Sequence, residues 1–392
     1  MSSELVTGAA ARLNWIRSRM TLLAEVRAQF AVTQPFAGRR IGMSMHIEPK
    51  TAVLLETLAA GGAEIVATGN HGSTQDDIAA YLRDQGMTIY GARDDSEEQH
   101  DAYVWKVVEA KPDILLDNGA GLVARLAELG HANHVAGGTE ETASGSYRLR
   151  AELADHVTFP VIVIDDNPLT VINENKHGAG QSVVESFMRI TNLMVSGRRF
   201  VVAGYGWCGR GVAHYLRALG GKVAVVEIDE IKALEAALDG YRVGNMFDLA
   251  NWGEVFITAT GHPQILGTDF FDVVADGAML VNCGHFDWEI DVLALRDLAI
   301  ASTVIDTAIE RVDLPRNRHI TLLADGRMIN LAGREPKGNS IESMDLGFLL
   351  QALSLERIAT AASTLVVGAQ PVPDSINRDA ARRMLAAMKA DR

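Results

Sequence analysis

From residue 40 onward the apolar positions alternate between two rhythms. Short apolar runs at 41–45, 64–67, 87–90, 114–116 and 161–164 have the length of buried strands. Between them lie longer amphipathic stretches at 51–60, 75–85, 99–109, 122–129 and 148–155, which read as helices. Regular alternation of this kind predicts an α/β fold with a parallel, doubly wound sheet. In such sheets ligands bind beyond the C-terminal strand ends, and those positions carry His46, Asn70, Asn118 and Glu141. A second series starts at residue 199, with strands over 200–203, 222–226, 255–258, 278–281, 302–305 and 320–324 and a helix over 212–219. It predicts a second doubly wound parallel sheet of about six strands. The polar, glycine-rich segment 174–180 ahead of a long helical run reads as a boundary. The chain therefore divides into a first domain, 1–180, completed by the helical residues 345–392, and a second, 181–344.

The second domain carries a phosphate-binding signature. Gly204-Tyr-Gly206-Trp-Cys-Gly209 follows a β-rich run and opens a helix, and Glu227 closes the next strand about twenty residues on. Gly204 allows the tight turn, Gly206 lets a pyrophosphate approach the backbone, and Gly209 lets helix and strand pack closely, with the phosphates at the positive helix N-terminus. Glu227 would accept from a ribose diol and repel a 2′-phosphate, which selects NAD over NADP. The domain is thus read as a Rossmann NAD-binding domain.

Composition narrows the class further. A chain of 392 residues with 48% hydrophobic residues is long enough for two cores. The net charge of −14 is spread along the chain, which argues against a nucleic-acid surface. Cys208 and Cys283 have neither zinc-ligand nor disulfide-framework spacing and read as small core residues, with no metal implied. No run approaches the roughly eighteen apolar residues of a membrane span, and the first twenty residues lack an export signal. A cytoplasmic enzyme is expected.

Four further segments resemble the adenosylhomocysteinase family. They are Asn282-Cys-Gly-His285-Phe-Asp-Trp-Glu-Ile-Asp291, Gly138-Thr-Glu-Glu141-Thr, Asn70 ahead of Ser73-Thr-Gln-Asp76, and Leu323-Ala-Asp-Gly-Arg-Met-Ile-Asn330-Leu. The resemblance runs through almost the whole chain and implies a tightly held NAD that takes a hydride from the ribose 3′ position. The ketone acidifies the 4′ C–H, the 5′ substituent leaves, water adds back, and the hydride returns. It also implies that Glu227, Asn330, Asn282, His285, Thr260 and Gly261 lie at the cofactor, and that His46, Asn70 and Glu141 face the nucleoside.

The departures from the family matter as much. Thr170 stands where the family has a lysine that assists 3′-hydroxyl deprotonation, and Glu174 where it has an aspartate. Asn118 replaces the second aspartate of the family's LDDGG segment, and an amide is no general base. Glu48 and Lys50, around Pro49, replace ribose- and adenine-facing residues, so a different base or sugar edge is read. Lys176, His177 and Glu174 are the titratable residues near enough in sequence to replace the missing lysine. The family's Lys/Tyr-bearing C-terminal tail has no counterpart before Arg392, so a homo-oligomer of at least two subunits is expected, with each cofactor site completed within one subunit. These departures favour a divergent nucleoside lyase or dehydratase. An authentic adenosylhomocysteinase is the alternative, and an inactive NAD-binding paralogue the third reading.

Overall fold

The computed structural model describes residues 2–390 apart from His131. It forms two compact units, one holding the chain up to Val171 and again from Ile341, the other Ile172–Ser340. The sequence reading cut the chain at 180/181 and 344/345, and the units meet earlier at both places.

In the first unit, strands β1 (Arg40–Ser44), β2 (Glu64–Thr68), β3 (Thr88–Tyr90), β4 (Ile114–Asp117), β5 (Gly137–Glu140) and β6 (Pro160–Val163) join with Gly368–Pro371. The order is Gly368–Pro371, β6, β5, β4, β1, β2, β3, and every pairing is parallel. Side chains alternate between two cores. Ile41, Met43, Ile114 and Leu116 pack with Phe30, Leu54 and Phe348 on one face, whereas Val66, Leu115 and Val161 pack with Val107 and Leu126 on the other. Strands buried on both faces can be apolar throughout, which is why they were legible. The order reverses between β4 and β1, where Ser44 pairs with Asp117, and the residues just past those two strand ends include His46 and Asn118.

Helices Ser2–Arg19 and Thr21–Thr33, absent from the sequence reading, cover this unit together with Ile341–Ala361. Asp345 fixes the last of these to the second: its carboxylate accepts from the backbone N–H groups of Leu22 and Leu23 at 2.9 and 3.0 Å, in the first turn of Thr21–Thr33. A side chain from far along the chain thus satisfies donors that a helix start leaves open. The helix expected over 148–155 lies earlier, at Ala143–Ala151, where Thr142 caps it by accepting from Gly145 N.

The second unit has strands β7 (Arg199–Ala203), β8 (Lys222–Val226), β9 (Arg242–Val243), β10 (Val255–Thr258), β11 (Ala278–Asn282), β12 (Ala301–Asp306), β13 (Ile309–Leu314) and β14 (Arg318–Leu323). Their order is β12, β13, β14, β11, β10, β7, β8, β9. Eight strands are present among the described residues rather than the six expected. The sheet is parallel except that β12–β13–β14 is an antiparallel meander. Its order reverses between β7 and β10, so the glycine-rich loop after β7 lies beside Thr260 and Gly261 after β10.

The segment 174–180, read as a boundary, is helical. Thr170–Ala179 forms a π-helix that runs directly into Gly180–Thr191. It is fixed to the helix Trp207–Ala218 by two glycines: a Cβ on Gly180 would come 2.6 Å from Gly211 C, and one on Gly211 would come 2.0 Å from Lys176 O.

Candidate functional site

In the first unit, the four residues expected at strand ends form a connected chain. Asn70 Nδ2 donates to Asn118 Oδ1 at 2.7 Å, and Asn118 Nδ2 donates to Glu141 Oε2 at 2.9 Å. His46 Nδ1 is 2.9 Å from Ser73 Oγ, and that hydroxyl donates to Asn70 O at 2.7 Å. Ser73 thus orients the imidazole, a role that nothing in its spacing announced. Part of the surface of Glu141 stays accessible, yet burial raises its pKa to about 7. Its hydrogen bond with Asn118 opposes the rise, and the charges of Glu140, Glu48 and Asp165 add to it. A carboxyl that holds its proton to neutral pH serves as a general acid.

Glu48 and Lys50 are buried together, Lys50 Nζ lying 2.9 Å from Glu48 Oε2, with side chains only 6% and 9% exposed for Lys50 and Glu48. Pro49 between them starts the helix Pro49–Ala60, its missing N–H being harmless at that position. Thr170 is buried, and its Oγ1 has no hydrogen-bond partner among the described residues. Glu140, the neighbour of Glu141, is wholly buried and points to backbone amides. Asp117 does the same, accepting from Asn118 N, Gly121 N and Val123 N at 3.0 to 3.1 Å; burial, then the charge of Glu140, raises it to about 7.

The hinge residues are distributed along the π-helix. His177 is exposed, 3.3 Å from the Tyr215 hydroxyl, and its pKa is lowered by partial desolvation of the ring and then by Lys176 and His214. The backbone of Lys176 packs on Gly211. Glu174 and Lys176 are half-buried.

In the second unit each glycine of the loop has a distinct constraint. Gly204 has φ +96°, and a Cβ there would meet Ala259 O at 2.6 Å; a Cβ on Gly209 would lie 2.0 Å from Gly204 O. Around Gly206, by contrast, nothing lies within 4 Å of a Cβ. The loop therefore packs tightly at its ends and leaves its middle open, at the N-terminus of a helix with no side-chain cap. That is the cradle a pyrophosphate needs. Glu227 accepts from Tyr205 N at 2.7 Å, Ile228 N at 2.8 Å and Asp229 N at 3.0 Å, so it shapes the loop and keeps acceptor capacity for a ribose hydroxyl.

Thr260 and Gly261 are held by a residue that sequence reasoning passed over. Glu289, fully buried, accepts from Thr260 N at 2.9 Å, Thr260 Oγ1 at 2.8 Å and Gly261 N at 3.0 Å. Gly284 makes room for it, since a Cβ there would lie 1.8 Å from Glu289 Oε1. Glu289 belongs to the motif segment around His285, but only the fold shows where its carboxylate goes. Asn282 accepts from Gly284 N at 2.7 Å and donates to Phe286 O at 2.7 Å, fixing the turn that carries His285. Burial lowers the His285 pKa to about 4, so its imidazole is neutral. Asn330 donates to Ser182 Oγ at 3.0 Å, while its own Oδ1 is buried with no hydrogen-bond partner among the described residues. Cys283 is also buried; its contact with Cys208 and then burial raise its thiol pKa well above the ordinary value, which suits packing rather than nucleophilic attack. The open glycine, uncapped helix, acceptor at Glu227 and unmatched Asn330 oxygen fit a dinucleotide.

Comparisons with known proteins agree with this geometry. A family model described as S-adenosyl-L-homocysteine hydrolase matches residues 10–134, and one described as S-adenosyl-L-homocysteine hydrolase, NAD binding domain, matches residues 175–335. The adenosylhomocysteinase of Archaeoglobus fulgidus is 41% identical over 381 residues, covering 96% of this chain and 93% of that protein. The S-inosyl-L-homocysteine hydrolase of Methanopyrus kandleri is 40% identical over 385 residues, covering 96% and 89%. That of Methanosarcina acetivorans is 41% identical over 391 residues, covering 98% and 94%. With both family models matched and 40–41% identity over nearly the full length, the chain belongs to the S-adenosyl-L-homocysteine hydrolase family and uses NAD as its cofactor.

Proposed function

We propose that this chain is an NAD-dependent nucleoside lyase or dehydratase, which oxidises a sugar 3′-hydroxyl transiently and expels the 5′ substituent without adding water back. NAD, when bound, supplies the hydride acceptor for that oxidation and the donor for its reversal. With a carbonyl at C3′ the C4′ hydrogen becomes acidic; the imidazole of His46 takes that proton, and the electron pair left at C4′ expels the group on C5′. A hydroxide leaving group needs a proton, and Glu141, raised to about 7, and His46, oriented by Ser73, are the donors available in the first unit.

The observation that carries the reading is Asn118. Adding water to a 4′,5′ double bond requires a base to take the proton, and the resemblance places an aspartate at this position. Here the amide donates to Glu141 and accepts from Asn70, so it is held in place and takes no proton. A group that leaves as its own anion, such as a thiolate, can then be eliminated without a proton from this position, while water, which must give one up to add, loses its base. Lys176, with Glu174 and His177, is the proposed source of a base for 3′ oxidation, in place of the lysine replaced by Thr170.

The base is read as a purine with an acceptor on its edge. Lys50, held by Glu48, presents a cation among the residues that the resemblance turns toward the base, and a cation favours a 6-oxo group over a 6-amino group. Two of the relatives are named S-inosyl-L-homocysteine hydrolases.

The second reading is a hydrolase releasing homocysteine, favoured by 40–41% identity to hydrolases over 96–98% of the chain. The test is to give the NAD-loaded protein inosine, adenosine and their S-homocysteinyl derivatives, following near-ultraviolet absorbance and product mass. The proposal expects NADH to form and an unsaturated nucleoside to accumulate. Saturated nucleoside plus free thiol would establish the hydrolase, and no NADH with any substrate would leave the inactive paralogue.

A further inference from the structure

The turn that carries Asn118 has an unusual backbone. Between β4 and the helix Gly121–Leu129, Gly119 has φ +92° and Ala120 has φ +56°. The second is a left-handed conformation that glycine adopts freely and alanine resists. One carboxylate from the adjacent strand holds both residues there. Glu140 Oε1 accepts from Gly119 N at 2.9 Å and from Thr142 N and Thr142 Oγ1 at 2.7 Å each, while Glu140 Oε2 accepts from Ala120 N at 2.9 Å. The side chain is entirely buried, and Gly145 leaves space for it, because a Cβ there would stand 2.2 Å from the Glu140 carboxyl carbon.

The bonded residues flank the candidate acid and its amide. Asn118 precedes Gly119 in the chain, and Glu141 lies between Glu140 and Thr142. Gripping Gly119 and Ala120 on one side and Thr142 on the other fixes the backbones from which Asn118 and Glu141 reach each other. We infer that Glu140 is a positioning residue, whose carboxylate locks the Gly119–Ala120 turn against Thr142 and so sets the Asn118 to Glu141 hydrogen bond. This rests on the reading that the Asn118 and Glu141 pair serves the elimination.

Glu140→Gln tests it with little change of size. The amide oxygen can keep the three donors at Oε1, but its NH₂ then faces Ala120 N–H, and Ala120 loses its acceptor. Hydrogen exchange at the Ala120 amide should accelerate at least about tenfold, and kcat should fall about tenfold or more with NAD affinity unchanged, as expected for a lost hydrogen bond to a buried charged group. Adding Ala120→Gly, which removes the left-handed penalty, should restore most of kcat. If Glu140→Gln alone does not fold, the double variant is expected to fold and turn over. Unchanged exchange at Ala120, or a loss of kcat that Ala120→Gly leaves uncorrected, would overturn the inference. Exchange is measured without substrate, so an unmodified protein that turns over no nucleoside while Ala120 responds as expected would count against the proposed reaction and not against this role of Glu140.

Discussion

Asn118 donates its side-chain N–H to Glu141 at 2.9 Å, which joins an amide that takes no proton to a carboxyl whose pKa is raised to about 7. The pair can release one proton near neutrality and cannot accept a second one through the amide. The pair can therefore hand a proton to a group leaving C5′, while its amide takes none from a water adding there.

Because the folded-state pKa of Glu141 lies above the ordinary value near 4.3, the folded chain holds a proton that the unfolded chain releases at intermediate pH. The stability this contributes is complete below about pH 4 and is lost as pH rises to about 7. Glu141→Gln should therefore gain on the unmodified protein over that window, on the order of 1–3 kcal/mol in urea unfolding. The activity of the unmodified enzyme should decline above about pH 7. A stability difference independent of pH would show that Glu141 titrates as an ordinary surface carboxyl.

Gly206→Ala and Gly209→Ala should fail in different ways. The first adds a methyl group where nothing lies within 4 Å, at φ −67°, so the protein should keep its melting temperature and lose NAD affinity about tenfold or more. The second drives a Cβ to 2.0 Å from Gly204 O, so unfolding should be easier by about 2 kcal/mol or more. Calorimetry and NAD titration check both; unaltered NAD binding by Gly206→Ala would remove the cofactor from that space.

How much of this was legible in the sequence depended on what satisfies each segment. Strands β1, β4 and β7 are buried on both faces and announced themselves as apolar runs. The Gly-Gly-Thr-Glu of β5 did not, because its polar Glu140 is satisfied by amides from another turn. β13 reads Ile-Glu-Arg-Val-Asp-Leu, and its charges hid a strand in an antiparallel meander. The polar residues 174–180 read as a boundary, and only their packing through Gly180 and Gly211 shows that they are helical. The glycine-rich loop and Glu227 stood out by motif and spacing, and Asn118 and Glu141 by their strand-end positions and the family resemblance. Ser73, Glu140 and Glu289 were not, since each acts by reaching a partner that sequence order does not bring near.

The buried pair of Lys50 and Glu48 gives a further test. Lys50→Met strands a carboxylate in the interior and should cost about 3–5 kcal/mol, whereas Glu48→Gln with Lys50→Met should recover most of it. The double variant should also narrow the preference for a 6-oxopurine over a 6-aminopurine nucleoside by about tenfold. Denaturant unfolding and competition between the two nucleosides measure these effects. An unchanged base preference would place Lys50 away from the purine edge.

The most direct test of the central claim is product analysis in heavy-oxygen water. The NAD-loaded enzyme would be given a nucleoside with a 5′ leaving group, and the product examined by mass spectrometry for a 4′,5′ double bond and for solvent oxygen at C5′. The account predicts an unsaturated product without solvent oxygen, because Asn118 leaves hydration without its base. A saturated nucleoside carrying solvent oxygen at C5′, released with homocysteine at an ordinary catalytic rate, would contradict it.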